Sequence, residues 1–163
     1  MTKPFVISRV FDAPRKRVWQ AWTEVEHLKQ WFSPKGFTVL AAKMDFRVGG
    51  TYHYGMRTPT GQEMWGRFVY REIAKPERLV WINSFSDKDG GLGTHPMNPA
   101  WPREMLTTLR FKDLGGKTEV TVEWIPVDGS TEPEFKTFDQ GRDSMKGGWT
   151  GTLDNFAAYV AKN

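Results

Sequence analysis

The sequence predicts an α+β domain in which a curved antiparallel sheet of about six to seven strands wraps around one long C-terminal helix. Three observations lead there. Segments alternating apolar and polar residues fill most of residues 37–126, separated by Gly- and Pro-containing turns. Two helical stretches follow the first strand, and both are short. A long amphipathic segment closes the chain, with Met145, Trp149, Thr152, Phe156 and Val160 on one stripe and Leu153 beside it. A sheet must bury one face, and this last helix is the sizeable element available to cover it.

The elements follow in order. Phe5, Ile7, Arg9 and Phe11 alternate with Val6, Ser8 and Val10, which reads as a strand. Asp12 is the expected N-cap of the first helix, 14–23, with Pro14 in its first turn and Val18, Trp19 and Trp22 at helical spacing. The second helix, 24–31, carries Val25, Leu28, Trp31 and Phe32 inward and stops at Pro34-Lys35-Gly36. Strands are expected over 37–48, 51–57, 63–73, 79–85, 105–112 and 118–124. The turns between them contain Gly49-Gly50, Pro59-Thr60-Gly61, Lys75-Pro76-Glu77 and Gly115-Gly116. A loop rich in Gly, Pro and Asp spans 87–102, and loops this long are usually functional, so it is expected to be a mobile lid. The segment 128–141 has no assigned element. The last helix is expected over 143–161. Gly147, Gly148 and Gly151 each cost it about 1 kcal/mol relative to Ala, which implies close packing or a loose helix start.

With 163 residues the chain fits a single domain, 1–163, large enough to bury a core without staples. It has no cysteine, which removes disulfides and thiolate metal sites. No signal-peptide core and no apolar run of ~20 residues is present, so a cytoplasmic protein without a membrane span is expected. The 23 Lys and Arg against 19 Asp and Glu give +4, but the basic residues are scattered. The densest run, Arg15-Lys16-Arg17, reads as a solvated helix face, so no nucleic-acid partner is expected. Eight Trp and eleven Phe are the unusual feature, and they imply either a core of large rings or a cavity lined with them.

Strand alternation yields two sheet faces. One carries Tyr52, Tyr54 and Met56, then Phe68 and Tyr70, then Trp81, Asn83 and Phe85. It continues through Met105, Thr107 and Leu109 to Val120, Val122 and Trp124. This face is assigned to the concave side, although a β-bulge would invert the parity of any one strand. His53 falls on the other face.

Several segments match a known pattern. Phe5 to Pro14 followed by Val18-Trp19-Gln20-Ala21-Trp22-Thr23 resembles the opening of the SRPBCC superfamily. Trp31-Phe32-Ser33-Pro34-Lys35-Gly36-Phe37 resembles the W-W-G-P-K-G-F segment of one branch, the activator of heat-shock-protein ATPase homologue (AHSA1-like) family. Asp45-Phe46-Arg47-Val48-Gly49-Gly50-Thr51-Tyr52 resembles its D-x-R-x-G-G turn. Tyr70-Arg71-Glu72-Ile73 with Pro76-Glu77-Arg78-Leu79-Val80 is similar to its Y-x-E-I…P-E-R-L-V hairpin. Gly148-Trp149 with Leu153 and Phe156 is similar to its terminal helix. Phe32-Ser33 departs from the pattern, and 87–102 and 128–141 are long. The resemblance implies the helix-grip (START-like) fold. It leaves function open, because the superfamily holds lipid and steroid carriers, receptors, cyclases, oxygenase domains and a chaperone activator.

Catalytic motifs are sparse. His27, His53 and His95 lack partners at metal-ligand spacing, so no metal is expected. No G-x-S-x-G and no phosphate loop occurs: Gly90-Gly91-Leu92-Gly93 lacks a strand–helix setting and Gly147-Gly148-Trp149 lacks the Lys. Asp45 reads as a turn carboxylate. Tyr52, Tyr54, Tyr70, Asn83 and Thr107 are polar groups on an apolar face. They either orient a ligand, or the tyrosine hydroxyls lie at the sheet edge and Asn83 bonds a neighbouring strand. The leading expectation is a small apolar or aromatic ligand, bound without cofactor between Trp149 and Phe156 on the helix and Trp81, Phe85, Tyr54 and Met105 on the sheet, with Met145 and the other concave-face residues from Tyr52 to Trp124 as further candidates. A cyclase- or hydrolase-like enzyme with a buried carboxylate is one alternative. A chaperone-associated interaction domain is the other. A chaperone and a second copy of the chain are the protein partners left open.

Overall fold

The computed structural model describes residues 2–95 and 98–162. Seven strands form one antiparallel sheet in the order β1-β7-β6-β5-β4-β3-β2. They are β1 (Phe5–Phe11), β2 (Thr38–Met44), β3 (Thr51–Arg57), β4 (Glu63–Ala74), β5 (Arg78–Ser86), β6 (Met105–Asp113) and β7 (Thr118–Pro126). Strands β2 to β7 form a meander, and β1 joins the far edge against β7. Helices α1 (Arg15–Thr23) and α2 (Val25–Trp31) follow β1, and α3 (Glu132–Gln140) and α4 (Arg142–Lys162) end the chain. The expected α+β class, the meander and the long terminal helix are all present.

The register places side chains of one parity in rows across the concave face. Phe5, Trp124, Thr107, Trp81 and Tyr70 oppose one another in sequence across β1, β7, β6, β5 and β4. The next row is Met105, Asn83, Phe68 and Tyr52, and the third is Phe85, Gly66 and Tyr54. The bulge after Tyr70 restores the same face for Ile73 and Leu79. In the third row the Tyr54 ring lies directly over Gly66, where an added Cβ would collide with it. On the opposite face Trp65 covers Gly55, and a Cβ there would come within 2.7 Å of its ring.

Four details differ from expectation. Strand β2 ends at Met44 rather than 48, because Asp45 to Gly50 folds into a turn held by Asp45 N–H to Thr51 O and Gly50 N–H to Arg47 O. Within it the Asp45 carboxylate accepts from Arg47 Nε at 2.8 Å. Asp12 is not a cap: α1 starts after Pro14, which is extended and supplies no side-chain acceptor. Segment 128–141 contains α3, whose signal stood in Thr131-Glu132-Pro133-Glu134. Thr131 accepts from Glu134 N–H, Glu134 accepts from Thr131 N–H, and proline occupies the first turn. The 87–102 loop is not one free segment. The Asp87 carboxylate accepts from the N–H groups of Asp89 and Gly91, Arg67 donates to Gly90 O, and Gly93 N–H donates to Phe85 O. Its first half is therefore tied to the sheet. Pro96, one of its prolines, lies outside the described residues.

The Glu134 carboxylate also accepts from Arg103 N–H at 2.7 Å, joining the α3 cap to the strand after the loop. Burial alone would raise its pKa, but the hydrogen bonds from Thr131 and Arg103 outweigh this and hold it below the usual value. Its contribution to stability is thus present above the ordinary carboxylate pKa and fades as the pH falls through the folded one. Glu134→Ala is expected to lower the urea midpoint at pH 7, and the gap to the parent should shrink towards pH 3. A gap unchanged with pH would contradict this linkage.

Candidate functional site

The core divides the concave space in two. One part of it is filled by rings. Trp22 packs edge-on to Trp31 at 4.5 Å, Trp31 meets Phe156 at 4.5 Å, and Phe156 meets Phe11 at 4.7 Å. Trp81 stacks on Phe68 at 4.2 Å with an interplanar angle of 12°. Phe32, from the end of α2, stands between Phe68 at 5.3 Å and Trp149 at 6.4 Å.

Beyond Phe32 a pocket of about 340 Å³ remains. Its sheet side includes Tyr54, Met56, Met64, Phe85, Met105 and Trp124. Its helix side is Ser144, Met145, Gly148, Trp149 and Thr152, one face of α4 at helical spacing. Its rim is formed by Ser33, Pro34 and Phe37 after α2 and by His95, Trp101 and Pro102 from the loop. Local contacts fix this rim. Asn155 on α4 donates to Ser33 O at 2.7 Å, and Gly151 lets Lys35 approach, with its N 3.4 Å from where a Cβ would stand. His95 lies 4.8 Å from the Phe85 ring and 6.1 Å from Trp101, and Trp101 in turn covers Gly141 at the α3–α4 junction.

Of the sequence-derived site residues, the structure places Tyr54, Met56, Asn83, Phe85, Met105, Trp124, Met145 and Trp149 on the pocket wall. Tyr52, Phe68, Tyr70, Trp81, Thr107 and Phe156 lie elsewhere, buried in the ring-filled half. The expected ligand position between Trp149 and Trp81 is corrected accordingly. Phe32 stands against Trp149 and Trp22 against Trp81, and the opening lies beside the first half of α4. Sequence reasoning missed Phe32 and Phe37, Met64, Trp101 and Gly148. The one available signal was Trp101, a large ring in a loop with no strand or helix to bury it.

The polar groups have definite roles. Thr107, fully buried, donates from Oγ1 to Asn83 Oδ1 at 2.5 Å, so Asn83 bonds the neighbouring strand and also faces the pocket. The indole N–H groups of Trp124 and Trp149, whose rings meet edge-on at 5.5 Å, have no acceptor among the described residues. Burial pushes the Tyr54 phenol well above its ordinary pKa, and pushes Tyr52 and Tyr70 the same way. Burial also lowers His95, favouring its neutral ring. His53 sits on the outer face, stacked on Trp65, and donates from Nε2 to Asp87 O at 2.7 Å. His27 shares a 2.6 Å hydrogen bond with Tyr159. No Asp or Glu stands among the described residues lining the pocket, so the buried carboxylate that an acid–base enzyme reading requires is not found there. Among the described residues no cluster of three potential metal ligands is found, and no helix is long and apolar enough to cross a membrane.

A seven-stranded antiparallel sheet closed around a long C-terminal helix, with two short helices after the first strand, defines a helix-grip protein of the SRPBCC type. The family model described as "Activator of Hsp90 ATPase homolog 1-like protein" matches residues 12–161, and the chain belongs to that family. Solved structures agree in fold. A protein from Arthrobacter aurescens is 24% identical, with 98% of this chain and 87% of that one covered and a TM-score of 0.77. One from Chromobacterium violaceum is 24% identical, with 97% of both chains covered and a TM-score of 0.72. The AHSA1 protein from Silicibacter pomeroyi is 17% identical, with 98% of both covered and a TM-score of 0.73. No curated protein matches the chain.

Proposed function

We propose that the chain binds a small apolar or aromatic molecule in the pocket beside the first half of α4, and that residues 1–163 act as one cytoplasmic domain. The observation that carries this reading is the pocket itself: about 340 Å³, walled by aromatic rings and methionines, and left open by the protein's own side chains. Small-molecule sites are typically of roughly 300–1,000 Å³, with few polar groups among apolar walls. Four of the wall residues, Met56, Met64, Met105 and Met145, are unbranched and adaptable, which suits a ligand of variable outline.

A melting screen against apolar and aromatic metabolites tests it. A ligand held by the native state alone adds ~2.7 kcal/mol at a hundredfold excess over Kd, or roughly 5–11 °C in a domain of this size. The shift should persist with a chelator present. An apolar library that moves the melting temperature nowhere would overturn the proposal. The family's name supports a second reading, docking to a chaperone ATPase. Faster ATP hydrolysis by an Hsp90-type chaperone on addition of this protein would favour it.

A further inference from the structure

We infer that the pocket selects an electrically neutral ligand that carries a hydrogen-bond acceptor, such as a ketone, an ester or a ring nitrogen, and that Asn83 receives this acceptor. The inference rests on the ligand-binding reading above and narrows it to a chemical class. Two observations carry it. The first is charge. None of the described residues lining the pocket is Asp, Glu, Lys or Arg. An ionised group entering such a space gives up its hydration and meets no fixed counter-charge, since burial favours the neutral form of the His95 ring at the rim, so acids and amines are rejected.

The second is the direction of the unused hydrogen bonds. Thr107 has no exposure and its hydroxyl donates to Asn83 Oδ1. The amide oxygen is thereby engaged and the amide turned, so that its NH₂, which donates to no described residue, is left on the pocket side. The Asn83 amide therefore leaves the wall one spare donor. A pure hydrocarbon leaves it unpaired, whereas a neutral acceptor satisfies it.

The fluorene series separates these terms, because its members share one ring system and differ at one carbon. Binding of fluorene, 9-fluorenone, fluorene-9-carboxylate and 9-(aminomethyl)fluorene is measured by calorimetry at pH 7. In the native chain 9-fluorenone should bind about tenfold or more tighter than fluorene, and neither charged compound should bind. The same set is run on the double variant Asn83→Leu/Thr107→Val. Both partners are removed together there, because removing Asn83 alone would strand the Thr107 hydroxyl. In that variant fluorenone should fall to the level of fluorene, and retained fluorene binding reports that the pocket has folded. Equal binding of fluorene and fluorenone to the native chain, or binding of the carboxylate as tight as that of the ketone, would overturn the inference and leave the pocket reading standing. A ketone preference that survives in the double variant would overturn the role of Asn83. If neither fluorene nor 9-fluorenone binds the native chain, the ligand-binding reading falls and this inference with it.

Discussion

Gly148→Leu is expected to abolish ligand uptake while leaving the protein as stable as before or more so. Gly148 lies on the pocket wall between Met145 and Thr152, on the same helical face as Trp149. A Cβ added there meets nothing within 4 Å, so the new side chain has room to enter and takes up the space a ligand would use. Glycine in a helix interior costs about 1 kcal/mol relative to Ala, so filling the position also favours α4. Affinity for any probe that binds the parent chain should drop by roughly a hundredfold, as expected of a built-in clash. Gly147→Leu is the control. Gly147 has the same helical setting and the same empty surroundings but does not line the pocket. It should gain the same helix stability and bind as the parent does. Equal loss of binding in both variants would mean that the pocket beside α4 is not the site.

The second large effect is on stability. Trp22→Ala is expected to cost about 3–5 kcal/mol in urea unfolding, and Trp149→Ala distinctly less. Trp22 is 1% exposed and its ring meets Trp31, Phe32, Trp81, Phe111 and Phe156. Its removal leaves a cavity surrounded by rigid rings that cannot collapse into it. Trp149 is 6% exposed and one side of it borders space that is already open, so fewer contacts are lost when it is truncated. Equal costs at the two positions would mean that the space beside Trp149 closes in solution.

The strands and their common face were legible because alternation has a period of two and the register preserves it. Tyr52, Phe68, Asn83 and Met105 share one face, as their parity alone predicts. The stripe on α4 was equally plain, since Met145, Trp149, Thr152, Phe156 and Val160 are all buried. What parity cannot reveal is which part of a concave face is filled. That depends on where α1 and α2 deliver Trp22, Trp31 and Phe32, and their placement follows from the path of the chain after β1 rather than from any repeat. The rim was hidden for a related reason. Trp101 and Phe37 lie outside regular elements, and only the folded path brings them to the mouth. Helix α3 was legible in principle, because a Thr three residues ahead of a Glu, with Pro between, is a helix-start pattern.

The two glycine–ring pairs of β3 and β4 have a consequence for the ladder itself. Tyr54 opposes Gly66 on one face and Gly55 opposes Trp65 on the other, at adjacent positions of the same register. A slip of two residues keeps every side chain on its own face, so hydrophobic patterning alone does not forbid it. Such a slip would bring Tyr54 opposite either Phe68 or Met64 and deny its ring the bare backbone it now lies on. Trp65 would lose its glycine in the same movement. The pair thus works as a two-sided alignment mark, selecting one pairing of β3 with β4 from a set that the alternation of the strands leaves nearly equal in energy.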